Sequence, residues 1–325
     1  TITSDVKEAA KIISAGGLVA FPTETVYGLG ADALNPDAVG KVYAAKGRPS
    51  DNPMIVHIWD KSQLGDLTNA ITSDMKTLAD AFWPGPLTMV VRRKDKIPNV
   101  TTGGLDTVGV RCPSNEVARN LIRLSGKPIA APSANISGRP SPTTAQHCID
   151  DLSGRIDGII MSEPCELGIE STVVDMTGET PMILRPGMIT KKMLERRLDK
   201  EVLLDPALLK KGSFDKTNFK PKAPGMKYKH YAPVAEMIIF SGEKAKVKEE
   251  IDRVKEKAIN EGKKVGVITY EDNDFAAHDF FAKLREFDND GVDLILAAAL
   301  DEEGVGFSVM NRMMKSAGFN IREVK

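Results

Sequence analysis

Cysteine is scarce in this chain. The three present, Cys112, Cys148 and Cys165, are odd in number and share no metal-type spacing. That excludes a disulfide framework and a zinc ribbon, and it makes a reduced, cytoplasmic compartment the expectation, with the thiols as small core residues. Histidine is almost as rare: His57, His147, His230 and His278 are scattered, and no Gly-x-Ser-x-Gly elbow accompanies them, so a nucleophilic triad fits poorly. The Gly-x-x-x-x-Gly-Lys-Ser/Thr phosphate loop is missing. No stretch approaches the roughly 20 apolar residues of a membrane span, and no signal-like segment precedes the first helix, so no membrane role is expected. An excess of one charge is lacking too. With 44 Lys and Arg against 45 Asp and Glu, nothing global advertises nucleic acid or a membrane surface.

What is present is a chain of 325 residues, 42% apolar and 27% charged, long enough for two domains. Asp5 and Glu8 can cap a helix striped by Val6, Ala9, Ala10 and Ile13, which Gly16-Gly17 stop. Leu18 to Phe21 reads as a buried strand ended by Pro22. Asn35-Pro36 opens a second helix. Further strands are expected at Ile55–Ile58, Thr88–Val91, Thr107–Arg111, Pro128–Ala131, Ile156–Met161, Ser171–Asp175 and Met182–Leu184, with helices at Met75–Phe82 and Asn115–Leu124. Irregular interleaving of this kind makes an α/β domain on a mixed sheet over 1–204. The pattern then stops between about Pro206 and Pro233, and 205–234 reads as a linker. It is basic, with seven lysines against two aspartates between Asp205 and His230. A smaller βα alternation fills 235–325: strands at Met237–Phe240, Val265–Ile268 and Leu294–Ala298, and helices around Val247–Ala258, Phe280–Phe287 and Phe307–Lys315.

Lys46-Gly47-Arg48-Pro49 and Pro132-Ser133-Ala134-Asn135 each replace an apolar run with cations, hydroxyls and an amide. Two cations on a stiffened turn, facing Ser and Asn on another, make a cradle suited to a polyphosphate. Arg111 and Arg185 both stand at the carboxyl ends of strands, where α/β sheets bind ligands. Phe21 to Gly30 is either a turn rich in side-chain-to-backbone bonds or the floor of a pocket. His57, amid apolar strand neighbours, reads first as a satisfied core residue. Pro224 to Pro233 carries two Tyr and a His between prolines; it is either a basic connector or a segment that folds over a ligand.

Taken in order, Phe21-Pro22-Thr23-Glu24-Thr25-Val26-Tyr27-Gly28-Leu29, Lys46-Gly47-Arg48-Pro49, Asn52-Pro53, Trp83-Pro84-Gly85-Pro86-Leu87-Thr88, Ala131-Pro132-Ser133-Ala134-Asn135 and Leu184-Arg185-Pro186-Gly187 resemble the motifs of the YrdC-type threonylcarbamoyl-AMP synthases. Pro224 to Pro233 and Gly306-Phe307-Ser308-Val309-Met310-Asn311-Arg312 resemble those of the long, two-domain form. The resemblance implies a twisted, mixed, open sheet with helices, joined by a linker over the active site to a smaller Rossmann-like α/β domain. It implies a reaction of L-threonine, bicarbonate (or CO2) and ATP, with Mg2+ carried by the nucleotide. The product would pass to a tRNA threonylcarbamoyl transferase complex, with room for a weak tRNA contact. Carried over by motif, ATP would be held by Lys46, Arg48, Asn52, Thr107, Ser133, Asn135, Ser141, Arg185 and Tyr231, with Lys46 and Arg48 the catalytic cations. L-Threonine would be held by Thr25, His57, Arg111, Ala131 and Ser171, its carboxylate on Arg111.

Two other readings compete. A carbamoyl-adenylating domain of the hydrogenase-maturation type would bring paired cysteines, which this chain does not have. A non-catalytic RNA-binding module would need a charge excess or surface aromatics that the composition does not offer.

Overall fold

The structure is a computed structural model that describes residues 1–209, 221–226 and 230–325. The chain divides into two units, Thr1–Ser137 with Ser141–Lys227, and Gly138–Pro140 with Tyr228–Lys325.

In the larger unit, β1 (Ile2–Thr3) leads into α1 (Val6–Ser14), which starts where the Asp5 side chain accepts the Lys7 N–H at 2.8 Å. β2 (Val19–Phe21) and β3 (Gly28–Asp32) form an antiparallel pair. α2 (Pro36–Lys46) has Asn35 as its N-cap and Pro36 in its first turn. It ends on Gly47 at φ 62, with Gly47 N–H on Ala44 O and Arg48 N–H on Tyr43 O at 3.0 Å. This is a Schellman close, which needs the left-handed glycine and sets Lys46 and Arg48 on either side of it.

β4 (Ile55–His57), α3 (Leu64–Leu67), α4 (Ser73–Phe82), β5 (Leu87–Arg92), α5 (Asn99–Thr102) and β6 (Thr107–Arg111) follow. Next come α6 (Glu116–Ser125), β7 (Ile129–Ala130), α7 (Ala145–Leu152), β8 (Gly158–Ile160), β9 (Thr172–Asp175) and β10 (Met182–Arg185). α8 (Lys191–Leu198), β11 (Leu203–Leu204) and α9 (Pro206–Leu209) close the unit's regular elements. The strands join in one open, mixed sheet of 11, in the order β1-β8-β2-β3-β7-β4-β6-β5-β9-β10-β11. Its largest core cluster runs from Leu18, Tyr27 and Val39 to Met89, Val110 and Leu194. Phe21, Ile129 and Leu121 anchor a second, smaller cluster.

The smaller unit alternates β12 (Glu236–Gly242), α10 (Lys244–Asn260), β13 (Val265–Ile268), α11 (Asn273–Asn289), β14 (Leu294–Ala298), α12 (Val305–Ser316) and β15 (Ile321–Val324). All its strand pairs are parallel, in the order β13-β14-β12-β15. Parallel strands joined through helices are what it shares with Rossmann-type sheets, while its order, second-third-first-fourth, differs from their third-second-first-fourth. Val247 and Ile251 of α10 pack on Phe240 and Leu296.

The sequence reading offered no element at α7, α8, β11 or β15, and two segments that it did read differ in the structure. Residues 28–30, read as the end of a turn or pocket floor, open β3 (Gly28–Asp32); two glycines and no β-branched residue hide a strand whose space is taken by its neighbours. A Cβ on Gly30 would lie 2.7 Å from Ile129 Cγ2 and 2.8 Å from Phe21 Cε1. Within the expected linker, Pro206–Leu209 is helical, and Ala223 is buried against Ile55, Val90, Val173 and Leu184. The lysines at 210, 211, 216, 220, 227 and 229 lie outside the described residues.

Crowding at Gly30 and open space at Gly40, in mid-α2 with nothing within 4 Å of an added Cβ, predict opposite signs. In urea unfolding, Gly30→Ala lowers stability by about 1–3 kcal/mol. Gly40→Ala raises it by roughly 0.5–1 kcal/mol.

Candidate active site

Strand register builds one face of the larger sheet into a row of polar groups. β4 and β6 run parallel with His57 opposite Arg111. β5 runs antiparallel to β6, with Thr88 opposite Arg111. Val173 of β9 pairs with Thr88, and Arg185 of β10 pairs with Val173. Directly opposed residues share a face, so His57, Arg111, Thr88 and Arg185 line up across neighbouring strands. By alternation Thr107 and Gly109 lie on that face too.

Hydrogen bonds lock the row. Thr88 Oγ1 and Ser171 Oγ are 2.7 Å apart. Arg185 donates from Nε to Ser171 O at 3.0 Å, from Nη2 to Ser171 Oγ at 3.1 Å and from Nη1 to Pro224 O at 3.3 Å. Arg111 donates from Nη1 to Thr25 Oγ1 at 2.9 Å, from Nη2 to Glu24 Oε1 at 2.5 Å and from Nε to Gly85 O at 3.4 Å. Thr25 Oγ1 is also 2.8 Å from Thr23 Oγ1. All of these side chains are buried.

His57 sits in this row as a neutral imidazole. Burial, and next the charge of Arg111, lowers its pKa to about 3. Nδ1 lies 3.1 Å from Ile55 O and 3.3 Å from Ile129 O. Both partners are acceptors, so Nδ1 carries the proton and Nε2 keeps its lone pair. The ring is therefore a fixed hydrogen-bond acceptor rather than a cation.

The Lys46 corner is assembled differently. Lys46 Nζ donates to Ser133 O and Asn135 O, each at 2.5 Å, and Lys46 O accepts from Ser137 N at 2.9 Å. Lys46 thus engages the main chain of the 133–135 loop. Arg48 Nη2 donates to Pro53 O at 3.0 Å, and Tyr43 Oη donates to Asn52 O at 3.0 Å. The Asn52 Oδ1 atom is buried with no hydrogen-bond partner, an acceptor held ready for a donor. Ser141 Oγ donates to Glu170 Oε1 at 2.5 Å, beside Ser171.

Of the residues expected at a threonine site, Thr25, His57, Arg111 and Ser171 therefore fall on or against one sheet face. Ala131 adjoins it through its N–H on Ile55 O at 2.9 Å. Among those expected at a nucleotide site, Arg185 joins the row, while Lys46, Ser133 and Asn135 cluster at the α2 terminus with Arg48 and Asn52 nearby. Thr107 opens β6, at the opposite end of that strand from Arg111. Tyr231 belongs to the smaller unit, at φ 63, with its ring 5.0 Å from that of Phe281 and 4.1 Å from that of His230. Thr23, Glu24, Thr88 and Glu170 were given no role by the sequence reading, although the first three lie in quoted motifs. A lone carboxylate, Glu24, in an otherwise uncharged loop was the available signal.

Among the described residues no group of three or more His, Cys, Asp or Glu is placed to hold a metal ion. Burial pushes the Cys112 thiol up to about 11 and the Cys165 thiol up to about 12, so neither is a thiolate nucleophile at neutral pH. No described helix is long and apolar enough to cross a membrane. The arrangement can bind anions, orient a small polar molecule and stabilise charge on oxygen.

Fold and site together define a two-unit α/β protein whose larger sheet presents fixed cations and small donors to a ligand. A family model described as "Telomere recombination", the Sua5/YciO/YrdC model, matches residues 11–187. A second, described as "Threonylcarbamoyl-AMP synthase, C-terminal domain", matches 189–318. The chain belongs to the Sua5 family, as its relatives agree. It is 46% identical to the threonylcarbamoyl-AMP synthase of Pyrococcus abyssi over 98% of this chain and 96% of that one. It is 45% identical to the Bacillus subtilis enzyme of the same name over 96% and 93%. The crystal structure of P. abyssi Sua5 complexed with L-threonine superposes with a TM-score of 0.93 at 45% identity, covering 100% of this chain and 98% of that one.

The neutral imidazole has a thermodynamic consequence. Its folded pKa lies below the ordinary value of 6.5, so the unfolded chain takes up this proton first and stability falls as pH drops below about 6.5. His57→Gln removes that contribution. Urea midpoints measured at pH 7.5 and 5.5 should therefore fall less with acid in the variant than in the unaltered protein.

Proposed function

We propose that this chain is an L-threonylcarbamoyladenylate synthase, joining L-threonine, bicarbonate (or CO2) and ATP into threonylcarbamoyl-AMP with release of pyrophosphate. Near full-length similarity to synthases of that name supports the reading. In the geometry it rests on one observation: the cation-and-hydroxyl row from His57 and Arg111 through Thr88 and Ser171 to Arg185 on a single sheet face.

In this reaction the threonine ammonium gives up one proton to solvent, and the free amine forms an N–C bond to CO2, releasing a second proton to solvent as the carbamate forms. A carbamate oxygen then attacks the α-phosphorus, and the α–β bridging oxygen leaves with its electron pair as pyrophosphate. No covalent enzyme intermediate is required, and none is offered by the buried thiols. The protein's part is to hold the two reactants in line and to neutralise charge that develops on the leaving phosphates. Arg111 takes the threonine carboxylate. Thr25, Ser171 and the main chain around Ala131 take its other polar groups, and the Nε2 lone pair of His57 accepts from one of its donors. Arg185, Arg48 and Lys46 surround the triphosphate with Ser133, Asn135 and Ser141, while Asn52 and Thr107 serve the nucleoside end. Mg2+ would be held mainly by the ATP phosphates rather than by a protein cage and would supply charge neutralisation there. The product passes to a tRNA threonylcarbamoyl transferase complex in the cytoplasm.

The direct test is pyrophosphate release from ATP with L-threonine and bicarbonate, each omitted in turn. Release that requires both supports the reading, and release indifferent to threonine rejects it. Arg48→Ala should lower threonine-dependent release by about 100- to 1000-fold while circular dichroism stays unchanged; near-normal turnover removes Arg48 from the mechanism.

A further inference from the structure

Glu24 is a buried carboxylate for which the reaction has no direct use. It is 5% exposed and lies in the loop between β2 and β3. Oε1 accepts from Arg111 Nη2 at 2.5 Å, and Oε2 accepts from the Ser114 N–H at 3.1 Å. Both partners belong to β6 or to the turn just past it, so one side chain ties the carboxyl end of that strand to the loop carrying Thr25. The same loop is secured at its back by Gly168 N–H on Thr25 O at 3.0 Å and Leu167 N–H on Glu24 O at 2.8 Å.

We infer that Glu24 is a positioning residue for amino-acid binding, setting the rotamer of Arg111 so that its remaining N–H groups present a fixed fork to the substrate carboxylate. The inference rests on the proposed synthase reading. Its physical ground is the donor count. With Glu24, Thr25 and Gly85 each taking one N–H, the guanidinium is held on three sides and cannot turn. Buried guanidinium forks recognise carboxylates through such fixed, paired geometry. Both groups facing the Glu24 carboxyl are donors. A carboxylate satisfies both with its two acceptor oxygens; a carboxamide must turn its NH2 toward one of them. Glu24→Gln therefore preserves size but forces Arg111 or the Ser114 main chain out of place. Glu24→Asp keeps both acceptors and gives up only reach.

Steady-state pyrophosphate release, with threonine and ATP varied separately, tests this. For Glu24→Gln the KM for threonine should rise at least tenfold while the KM for ATP stays within about twofold. Glu24→Asp should fall between Glu24→Gln and the unaltered protein. If Glu24→Gln does not fold, Glu24→Asp carries the test alone, with a threonine KM raised at least threefold and an unchanged ATP KM. A threonine KM that does not move, or KM values for both substrates that move together, overturns the positioning role. Unaltered protein without threonine-dependent release overturns the synthase reading as well; release in the unaltered protein with an unmoved threonine KM in the variant overturns this inference alone.

Discussion

A guanidinium buried at the end of a central strand must be paired, because an isolated charge in the interior costs far more than the fold's net stability. Arg111 meets that constraint through Glu24, Thr25 and Gly85 O. Much of the site's shape follows from it. The 22–27 loop has to fold back over the carboxyl end of β6 to bring its carboxylate and hydroxyl to Arg111. The imidazole across the ladder has to stay neutral beside this charge, which its burial and the nearby Arg111 enforce against the opposing pull of its two carbonyl partners. Removing one partner from such a buried pair typically costs about 3–5 kcal/mol.

The second cation, Arg185, donates to Ser171 O, Ser171 Oγ and Pro224 O. Those bonds fix its guanidinium on the same sheet face as Arg111. Two fixed arginines give the face two cationic ends. One suits the modest charge of an amino-acid carboxylate, the other the dense charge of phosphates. Fixed donors of this sort need little reorganisation as charge moves from the nucleotide's bridging oxygen to pyrophosphate.

Local chemistry was well written in the sequence, while pairings distant in the chain were not. Asp5, Asn35-Pro36 and Gly47 mark the ends of α1 and α2 because caps and left-handed glycines act over a few residues. Arg111 and Arg185 could be placed at strand ends for the same reason. β3 was hidden because Gly28 and Gly30 are small to fit Phe21, Ile129 and Ala131, not because they prefer turns. Glu24 and Arg111 are 87 residues apart, and Thr88 and Ser171 are 83 apart. Only the sheet order makes them neighbours, and no local pattern encodes that order. Lys46 points to carbonyls of the 133–135 loop, a preference that the residue types in the loop do not reveal.

The central claim is that this face joins a carbamate to the α-phosphorus and releases the outer phosphates together. The most direct measurement is a double-label reaction with [α-32P]ATP and [14C]bicarbonate in the presence of L-threonine, with the products separated. The account predicts one threonine-dependent product carrying both labels in equal amounts, and a matching amount of pyrophosphate. Formation of ADP and phosphate, or a 32P-labelled product without 14C, would contradict it.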